Sequence, residues 1–244
     1  ALTSSRVLVS GPSGSGKEFA ARCIHSKSTR KDERFVVANC ARLASERVDA
    51  ELFGSESLQS HRRVVGLFEQ AHQGTLYFDE ICDLPVDTQG KIVRAVNEQR
   101  FRRVGGSTEV VVDVRVISAS SRDLAAEMSA GRLREDLYYR LGVVPLTMPP
   151  LVQRREDIPL LAKHFTAVVA KRLGVLPFKL GDEVLAALQG YDWPGNVRQM
   201  HNVIETMLIL APNERNEPVD LNLLPAEIHQ VVRSSNDSEM DTLM

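Results

Sequence analysis

The sequence predicts an α/β domain built on a parallel sheet, followed by a smaller helical domain. Short runs of Val, Leu, Ile and Phe recur through the first 150 residues, and they do not alternate between apolar and polar side chains. Continuous apolar strands are typical of a parallel sheet that is covered on both faces. Helical patterns separate these runs, and only helical patterns follow Met148-Pro149-Pro150. The change of pattern indicates a second domain.

The predicted strands of the sheet are five apolar runs, Val7–Val9, Phe35–Val37, Thr75–Phe78, Val114–Ile117 and Val143–Leu146. The predicted helices between them are Glu18–His25, Ser45–Phe53, Asp87–Gln99 and Arg122–Leu141. This order of elements is typical of an open α/β sheet. The segment Phe101–Val112 interrupts the order, and the pair Gly105-Gly106 at its centre predicts a hairpin.

The helical domain follows Pro150. In Asp157–Leu173 the apolar residues recur at spacings of three and four, which places them on one face of a helix. Further helices are predicted at Val184–Leu188 and Asn196–Leu210. We expect an α/β core over residues 1–150, a helical domain over residues 151–230 and a polar, acidic tail over residues 231–244 that is disordered.

The composition is that of an ordinary globular protein. The 244 residues include 30 basic and 32 acidic side chains, so the net charge of −2 gives no general reason to expect binding to nucleic acid or membranes. No apolar run approaches the roughly 20 residues that cross a bilayer, and we expect no signal peptide. The three cysteines, Cys23, Cys40 and Cys82, form no CxxC motif, which fits a reducing cytoplasm.

One segment combines a strand, a glycine-rich loop and the start of a helix. The loop is a GxxxxGK motif made of Gly11, Pro12, Ser13, Gly14, Ser15, Gly16 and Lys17. Glycines let backbone N–H groups curl around phosphate oxygens, and the helix N-terminus adds partial positive charge. Lys17 supplies a full charge toward the terminal phosphates. The segment predicts a P-loop that binds ATP, although Glu18 stands where a hydroxyl that holds Mg²⁺ is usual.

A second part of the site is predicted further along the chain, where an apolar strand ends in Asp79 and Glu80. Asp79 at the strand tip can hold Mg²⁺, directly or through water, and Glu80 can polarise an attacking water. Two acids after a strand are a weak signal by themselves, because they can also cap a helix. Downstream of a P-loop they predict the hydrolytic half of a nucleotide site.

Several blocks of sequence together resemble one family. They are GPSGSGKE (11–18), ELFG (51–54), GTLYFDEI (74–81), FRRVGG (101–106), REDLYYRL (134–141), PPL (149–151), RREDIPLL (154–161) and DWPGNVRQ (192–199). Over residues 7–210 the chain resembles the AAA+ domains of bacterial enhancer-binding proteins, the NtrC class, and within it the NtrX branch. The resemblance implies a P-loop AAA+ sheet with a C-terminal helical lid and Mg·ATP at their junction. The family also carries a glutamate at the position of Glu18.

The resemblance further implies roles for single residues. Asn39 matches the family asparagine that pairs with the catalytic glutamate, here Glu80. Arg134 and Arg140 match the arginine fingers, which act on the γ-phosphate of a neighbouring subunit and imply a ring with head-to-tail contacts. Arg198 matches the sensor arginine of the lid, which reports the nucleotide state. Ordinary structural roles stay open: a turn residue for Asn39, and solvated helix arginines for Arg134 and Arg198.

Two features depart from the family pattern. Activators of sigma-54 carry a GAFTGA loop after the ELFG block, whereas this chain has the shorter segment Ser55–Val65 without that motif. The family's sensor asparagine aligns with Ser121, whose side chain cannot present an amide to the γ-phosphate. We therefore expect slow hydrolysis and regulation that does not work through sigma-54. Some NtrX-type proteins share both features.

These features predict the ATP-binding module of a two-component transcription regulator, in which the nucleotide state drives self-assembly. Two alternatives stay open: an assembly switch with little or no hydrolysis, and a sigma-54-dependent activator ATPase. The expected partners are copies of the chain, from a dimer to a hexameric ring, and no membrane. RNA polymerase, promoter DNA and a sensor histidine kinase are expected to act through domains outside this sequence. We see no receiver domain before the P-loop and no helix-turn-helix near the end, and therefore expect an excised central module.

Overall fold

The computed structural model describes residues 3–57, 63–211 and 218–229. Its strands are β1 (Val7–Ser10), β2 (Phe35–Asn39), β3 (Ser55–Glu56), β4 (Arg63–Val64), β5 (Thr75–Asp79), β6 (Arg100–Arg102), β7 (Glu109–Val111), β8 (Arg115–Ser120) and β9 (Val144–Thr147). Its helices are α1 (Lys17–Ser26), α2 (Val48–Phe53), α3 (Leu67–Gln70), α4 (Val86–Glu98), α5 (Leu124–Ser129), α6 (Glu135–Leu141), α7 (Ile158–Leu173), α8 (Asp182–Gly190) and α9 (Asn196–Leu210). The chain divides into two compact units.

Five parallel strands form the main sheet of the first unit, in the order β2-β5-β8-β1-β9. The register of β1 and β8 places Ser10 beside Ser120. The carboxyl ends of β1, β5 and β8 therefore meet at one edge of the sheet, and the segments that leave them begin with Gly11, Glu80 and Ser121. The predicted α/β class with a parallel sheet is confirmed. Ligands of such sheets bind outside this edge.

Both faces of the sheet are buried, which explains why its strands read as continuous apolar runs. On β5, Tyr77 packs on one face together with Ala21 of α1. Leu76 and Phe78, its neighbours in sequence, join the larger cluster on the other face, which includes Ile92 of α4. Successive side chains of a strand point to opposite faces, so burial on both sides requires an apolar residue at every position.

The prediction of one helix over Arg122–Leu141 is wrong, because the structure has two helices there, α5 and α6. Asp123 caps α5, and its carboxylate accepts hydrogen bonds from the N–H groups of Ala125 and Ala126. Gly131, with a φ of +70°, turns the chain out of the helix. Both helices pack on the same apolar cluster, so hydrophobic spacing continues across the break and does not reveal it.

The other predicted elements of the first unit occur with shifted ends. The helix predicted from Ser45 begins at Val48. The predicted hairpin is confirmed, since β6 and β7 pair antiparallel with Arg102 opposite Glu109. Its turn contains Gly105, whose φ of +78° is a left-handed conformation that glycine adopts readily.

The second unit consists of Pro12–Gly16 and the chain from Pro149 onward. Helices α7, α8 and α9 pack around a core that includes the fully buried Trp193 and Ile204. In the part of the chain that the structure describes, no helix is long and apolar enough to cross a membrane. The tail predicted for residues 231–244 lies outside the described residues.

A buried ion pair fixes the ends of the connector between α2 and α3. Arg103, only 6 % exposed, donates hydrogen bonds from Nε and Nη2 to the carboxylate of Glu69 at 2.8 and 2.7 Å. Arg103 also lies 3.5 Å from Glu56, which belongs to β3. Arg63 of β4 donates a hydrogen bond of 2.9 Å to Glu69. We call Arg103, Glu69, Glu56 and Arg63 the clamp, because they join both ends of the connector to the hairpin.

The clamp makes a pH-dependent contribution to stability. Burial by itself would raise the pKa of Glu69, but the hydrogen bonds and charges of Arg103 and Arg63 outweigh burial, and the pKa lies below its ordinary value of 4.5. A carboxylate whose pKa is lower in the folded state than in the unfolded state stabilises the fold. This contribution is present in full at pH values above the pKa of the unfolded state. The contribution is lost as the pH falls through the folded pKa.

We predict that Glu69→Gln lowers the free energy of unfolding at neutral pH by about 2–3 kcal/mol, because Arg103 stays buried without its charged partner. Urea unfolding measures this difference. The control is Glu98→Gln, since Glu98 pairs with Arg100 at a half-exposed site and should contribute less than about 1 kcal/mol. The difference between wild type and Glu69→Gln should shrink as the pH falls below 4.5. A difference that does not depend on pH would contradict the assigned ion pair.

Candidate functional site

The loop between β1 and α1 has the conformation that a P-loop requires. Gly14 adopts a φ of +75°, and a Cβ atom there would lie 2.4 Å from the carbonyl oxygen of Gly195. Gly11 has a φ of +145°, and its Cβ would lie 2.3 Å from the carbonyl oxygen of Met148. These approaches exclude any side chain at the two positions. Turns of this kind can direct successive backbone N–H groups toward one anion.

Lys17, the first residue of α1, is 6 % exposed and lies at the edge of the sheet. Its Nζ donates a hydrogen bond of 2.9 Å to the carbonyl oxygen of Gly11 and lies 3.5 Å from Oε1 of Glu80. The structure thus brings together the lysine and the glutamate that the sequence predicts as parts of one site.

Asp79 ends β5 beside this pair. Burial raises the pKa of Asp79, as does the negative charge of Glu80, whereas Lys17 and a hydrogen bond from the Tyr77 hydroxyl lower it. The Tyr77 Oη–H donates to Asp79 Oδ1 at 3.0 Å, a contact that the sequence did not suggest. A carboxylate in this position fits a cation beside the phosphates of a nucleotide.

The described residues contain no cluster of three or more His, Cys, Asp or Glu side chains that could hold a metal ion. Mg²⁺ commonly takes one or two carboxylates together with phosphate oxygens and water, and it does not need a protein cage. Asp79 fits the role of the single carboxylate. Glu18, predicted beside the nucleotide, turns toward Arg22 instead and forms an exposed ion pair of 2.7 Å.

Glu80 adopts a left-handed conformation with a φ of +56°, which is uncommon outside glycine. Its Oε2 accepts two hydrogen bonds from Ser121, one from the backbone N–H at 2.7 Å and one from the hydroxyl at 2.8 Å. Ser121 follows β8, the strand beside β5. Ser121 therefore holds the carboxylate predicted to act on water, a contact that the sequence did not predict for it.

The predicted pairing of Asn39 with Glu80 is not made in this structure. Asn39 ends β2 beside Asp79, and its buried Oδ1 accepts no hydrogen bond from a described residue. The carboxylate of Glu80 is already engaged by Lys17 on one oxygen and by Ser121 on the other. Among the described residues, no hydrogen bond joins Asn39 to Glu80, because these two partners occupy the carboxylate.

Within the second unit, side chains that follow Pro149 bind the loop residues Pro12–Gly16. Nη1 of Arg198, the predicted sensor arginine, donates to the hydroxyl of Ser13 at 3.0 Å. Asn196 Nδ2 donates to the carbonyl of Ser13 at 3.0 Å, and Asn196 Oδ1 accepts from the N–H of Leu151 at 2.7 Å. Arg154 Nη2 donates to the carbonyl of Ser15. The sequence analysis missed the roles of Asn196 and Arg154.

The two predicted arginine fingers lie at opposite ends of α6. Arg134, before the first residue of the helix, forms two hydrogen bonds with Asp136, at 2.9 and 2.8 Å, which raise the pKa of the guanidinium. Arg140 lies in the last turn, and its buried Nε finds no hydrogen-bond partner among residues 3–57, 63–211 and 218–229. Within the described residues, neither arginine forms an ion pair or hydrogen bond with Lys17, Asp79 or Glu80 of the same chain.

Comparison with known families agrees with this geometry. The family described as the sigma-54 interaction domain matches residues 1–147, and the AAA+ ATPase lid domain matches residues 152–241. The chain belongs to the AAA+ regulators of the sigma-54 interaction family. The sequence-based recognition of this family is thus confirmed, together with its parallel-sheet core.

The relatives of this AAA+ chain are bacterial response regulators. It is 48 % identical over 230 residues to the nitrogen assimilation regulatory protein NtrX of Azorhizobium caulinodans, covering 94 % of this chain and 51 % of NtrX. It is 42 % identical over 240 residues to the response regulator PilR of Pseudomonas aeruginosa, covering 97 % of this chain and 54 % of PilR. The chain therefore spans about half the length of these curated relatives.

Solved structures of NtrX from Brucella abortus share the fold. The complex with ATP is 46 % identical, with a TM-score of 0.85 over 93 % of this chain and 50 % of that one. The complex with ADP is 44 % identical, also with a TM-score of 0.85, and covers 93 % and 51 % of the two chains.

Proposed function

We propose that this AAA+ chain binds Mg·ATP at the P-loop and that the nucleotide state controls its self-assembly, and through assembly the regulation of transcription. The observation that carries the proposal is the convergence of Lys17, Asp79 and Glu80 at one edge of the sheet. The structures of Brucella abortus NtrX in complex with ADP and with ATP support the choice of nucleotide. Response regulators among the relatives support a place in a two-component system.

Each residue of the site then has a role that follows from its chemistry. The backbone of Gly11–Gly16 would surround the phosphates, and Lys17 would give up part of its contact with Glu80 to hold the terminal phosphate. Asp79 would hold Mg²⁺, which neutralises phosphate charge when bound. Glu80 would orient the attacking water and accept its proton. Arg198, already on Ser13, would sense whether the loop is filled.

Assembly would complete the site. Arg134 and Arg140 form no contact with the P-loop lysine or the two acids of their own described chain, which fits fingers that reach a neighbouring subunit. Guanidinium groups stabilise charge that develops on a transferring phosphoryl group. A contact of one surface with a different surface of the next copy produces a ring where the rotation closes and an open filament where it does not. We therefore propose a homo-oligomer, from a dimer to a hexameric ring.

The relatives are about twice as long as this chain. We propose that further domains of the complete regulator contact the remaining partners. A receiver domain would connect it to a sensor histidine kinase, and a DNA-binding domain to promoter DNA and RNA polymerase. These partners belong to the proposal for the complete regulator, acting in the cytoplasm. They do not follow from the residues described above.

A second candidate function is an assembly switch that hydrolyses little ATP. It is favoured by one observation, the two hydrogen bonds from Ser121 to Glu80 Oε2. A general base must turn a free lone pair toward water. In this arrangement the N–H and the hydroxyl of Ser121 occupy those of Oε2, and Oε1 lies 3.5 Å from the ammonium group of Lys17. Slow turnover would leave ATP bound for long periods, so binding would act as the signal.

The family name suggests a third function, activation of sigma-54 polymerase, and we propose that this chain lacks it. The connector Ser55–Val65 has no phenylalanine, tyrosine or tryptophan. Interfaces depend on a few buried anchors, which are often aromatic. The structure describes the ends of the connector, β3 and β4, whereas residues 58–62 lie outside the described residues.

We predict that Lys17→Ala abolishes the rise in melting temperature that Mg·ATP gives to the wild type. A ligand at about 100 times its dissociation constant stabilises by roughly 2.7 kcal/mol, so the loss is measurable by thermal unfolding. Lys91→Ala is the matched control, because Lys91 is half-exposed and pairs with Asp49 away from the loop. If ATP stabilises Lys17→Ala as much as the control, the phosphate site is assigned wrongly.

We predict that Ser121→Ala raises kcat for ATP hydrolysis by up to about tenfold, with little change in KM. The substitution removes one charge-assisted hydrogen bond to Glu80 and keeps the other, which the backbone makes. Steady-state phosphate release measures the effect at a fixed, high protein concentration. Ser129→Ala is the control, since that hydroxyl bonds to a helix carbonyl. A fall in kcat would show that Ser121 holds Glu80 in its active position. It would exclude the proposal that the hydrogen bonds from Ser121 slow hydrolysis.

We predict that this chain with ATP forms no open complexes with sigma-54 polymerase on a premelted promoter, because its connector offers no aromatic anchor. An activator that carries the GAFTGA loop serves as the positive control in the same assay. If this chain forms open complexes at a level near that of the control, the proposal is wrong. Another loop would then make the sigma-54 contact.

A further inference from the structure

A second polar cavity lies at the opposite end of the sheet from the P-loop. It measures about 280 Å³ and opens where β1 and β8 begin. The side chains that matter here are Ser5, Arg6, Arg30, Asp113 and Arg115. All belong to the first unit, and none takes part in the proposed nucleotide site.

Arg115 is the least accessible of these groups, with 4 % of its surface exposed. Its Nε donates a long hydrogen bond, 3.4 Å, to the carbonyl oxygen of Ser5, and its Nη1 has no hydrogen-bond partner in the part of the chain that the structure describes. No carboxylate of the described residues forms an ion pair with it. A buried guanidinium without a counter-charge is costly, and burial and the charge of Arg30 lower the pKa of Arg115 accordingly.

The remaining charges of the cavity do not compensate Arg115. Asp113 is the carboxylate that lines it, and Arg30 already engages Asp113 Oδ1 at 2.6 Å. Arg6 forms no ion pair with a described residue, and burial followed by the positive charge of Arg140 lowers the pKa of Arg6. Three guanidinium groups therefore line the cavity with one carboxylate, which leaves two positive charges without an ion-pair partner among the described residues.

We propose that this cavity is a binding site for a compact oxyanion of the phosphate type. Two unpaired positive charges match a dianion, and guanidinium groups present donors in the fork geometry that tetrahedral oxyanions accept. Pockets for organic ligands usually measure about 300–1,000 Å³, so this cavity, near the lower end of that range, has room for an oxyanion and for a small group attached to it. Arg115 lines the cavity, and among the described residues its buried Nη1 has no hydrogen-bond partner. Inorganic phosphate and small phosphomonoesters both present such a tetrahedral oxyanion.

The experiment is a calorimetric titration of the chain with inorganic phosphate at constant ionic strength. It uses the Lys17→Ala background, so that the P-loop does not contribute phosphate affinity. We expect saturable binding with one phosphate per chain, weakened roughly tenfold or more by Arg115→Met and also weakened by Arg6→Gln. Arg100→Met, which alters an exposed arginine outside the cavity, should bind phosphate like the background.

Two further measurements separate lost binding from a folding defect and from a general salt effect. Thermal unfolding checks that Arg115→Met folds; removal of an uncompensated buried charge should not lower its melting temperature much. If it does unfold, Arg6→Gln, at a more accessible position, carries the test. Phosphate also stabilises proteins as a general salt, but that effect is not saturable and would be equal in all variants.

Glycerol phosphate in place of inorganic phosphate distinguishes the two sources. If glycerol phosphate binds at least as tightly as inorganic phosphate, the preferred ligand is a phosphomonoester. If it binds more weakly, the preferred ligand is the free ion. Both results support the site. Absence of saturable binding in the Lys17→Ala background overturns the proposal. So does equal affinity in the background, Arg115→Met and Arg6→Gln.

Discussion

The parallel register of β1, β5 and β8 is the constraint on which the candidate site depends. Because these strands run in the same direction as neighbours, the residues that follow them reach one edge of the sheet. Gly11, Glu80 and Ser121 are far apart in sequence, and only this register brings them together. The same register gathers the starts of β1 and β8 at the other end, where Arg6 and Arg115 share a cavity. One pattern of strand pairing thus creates two polar sites on an otherwise apolar sheet.

The carboxylate of Glu80 links the parts of the candidate site. One of its oxygens lies near the ammonium group of Lys17, and the other accepts both donors of Ser121. Phosphate and carboxylate both attract Lys17, so a bound nucleotide would compete with Glu80 for that cation. The glutamate would then be held mainly by Ser121. On our proposal, the strength of that remaining restraint would decide whether bound ATP is hydrolysed or retained.

Much of the fold and of the site could be predicted, because the P-loop and the acids at Asp79 and Glu80 are local sequence patterns within a regular α/β order. The break between α5 and α6 escaped prediction, since apolar spacing continues across Gly131. The contact of Ser121 with Glu80 depends on the unusual backbone angle of Glu80 and on strand order, neither of which a single sequence displays. The role of Asn196 required knowing that its amide meets Ser13 from a distant part of the chain. Such contacts belong to tertiary structure and leave no spacing signal.

The clamp around Arg103 fixes the two ends of the connector independently of the residues between those ends. Charged side chains hold its described ends, so the attachment of those ends does not require particular residues between them. Connecting segments between fixed ends tolerate insertion, deletion and change of composition. The connector is therefore an exchangeable part. During evolution, the middle of the connector could change its sequence and so contact a different target. The residues of the proposed nucleotide site would not have to change.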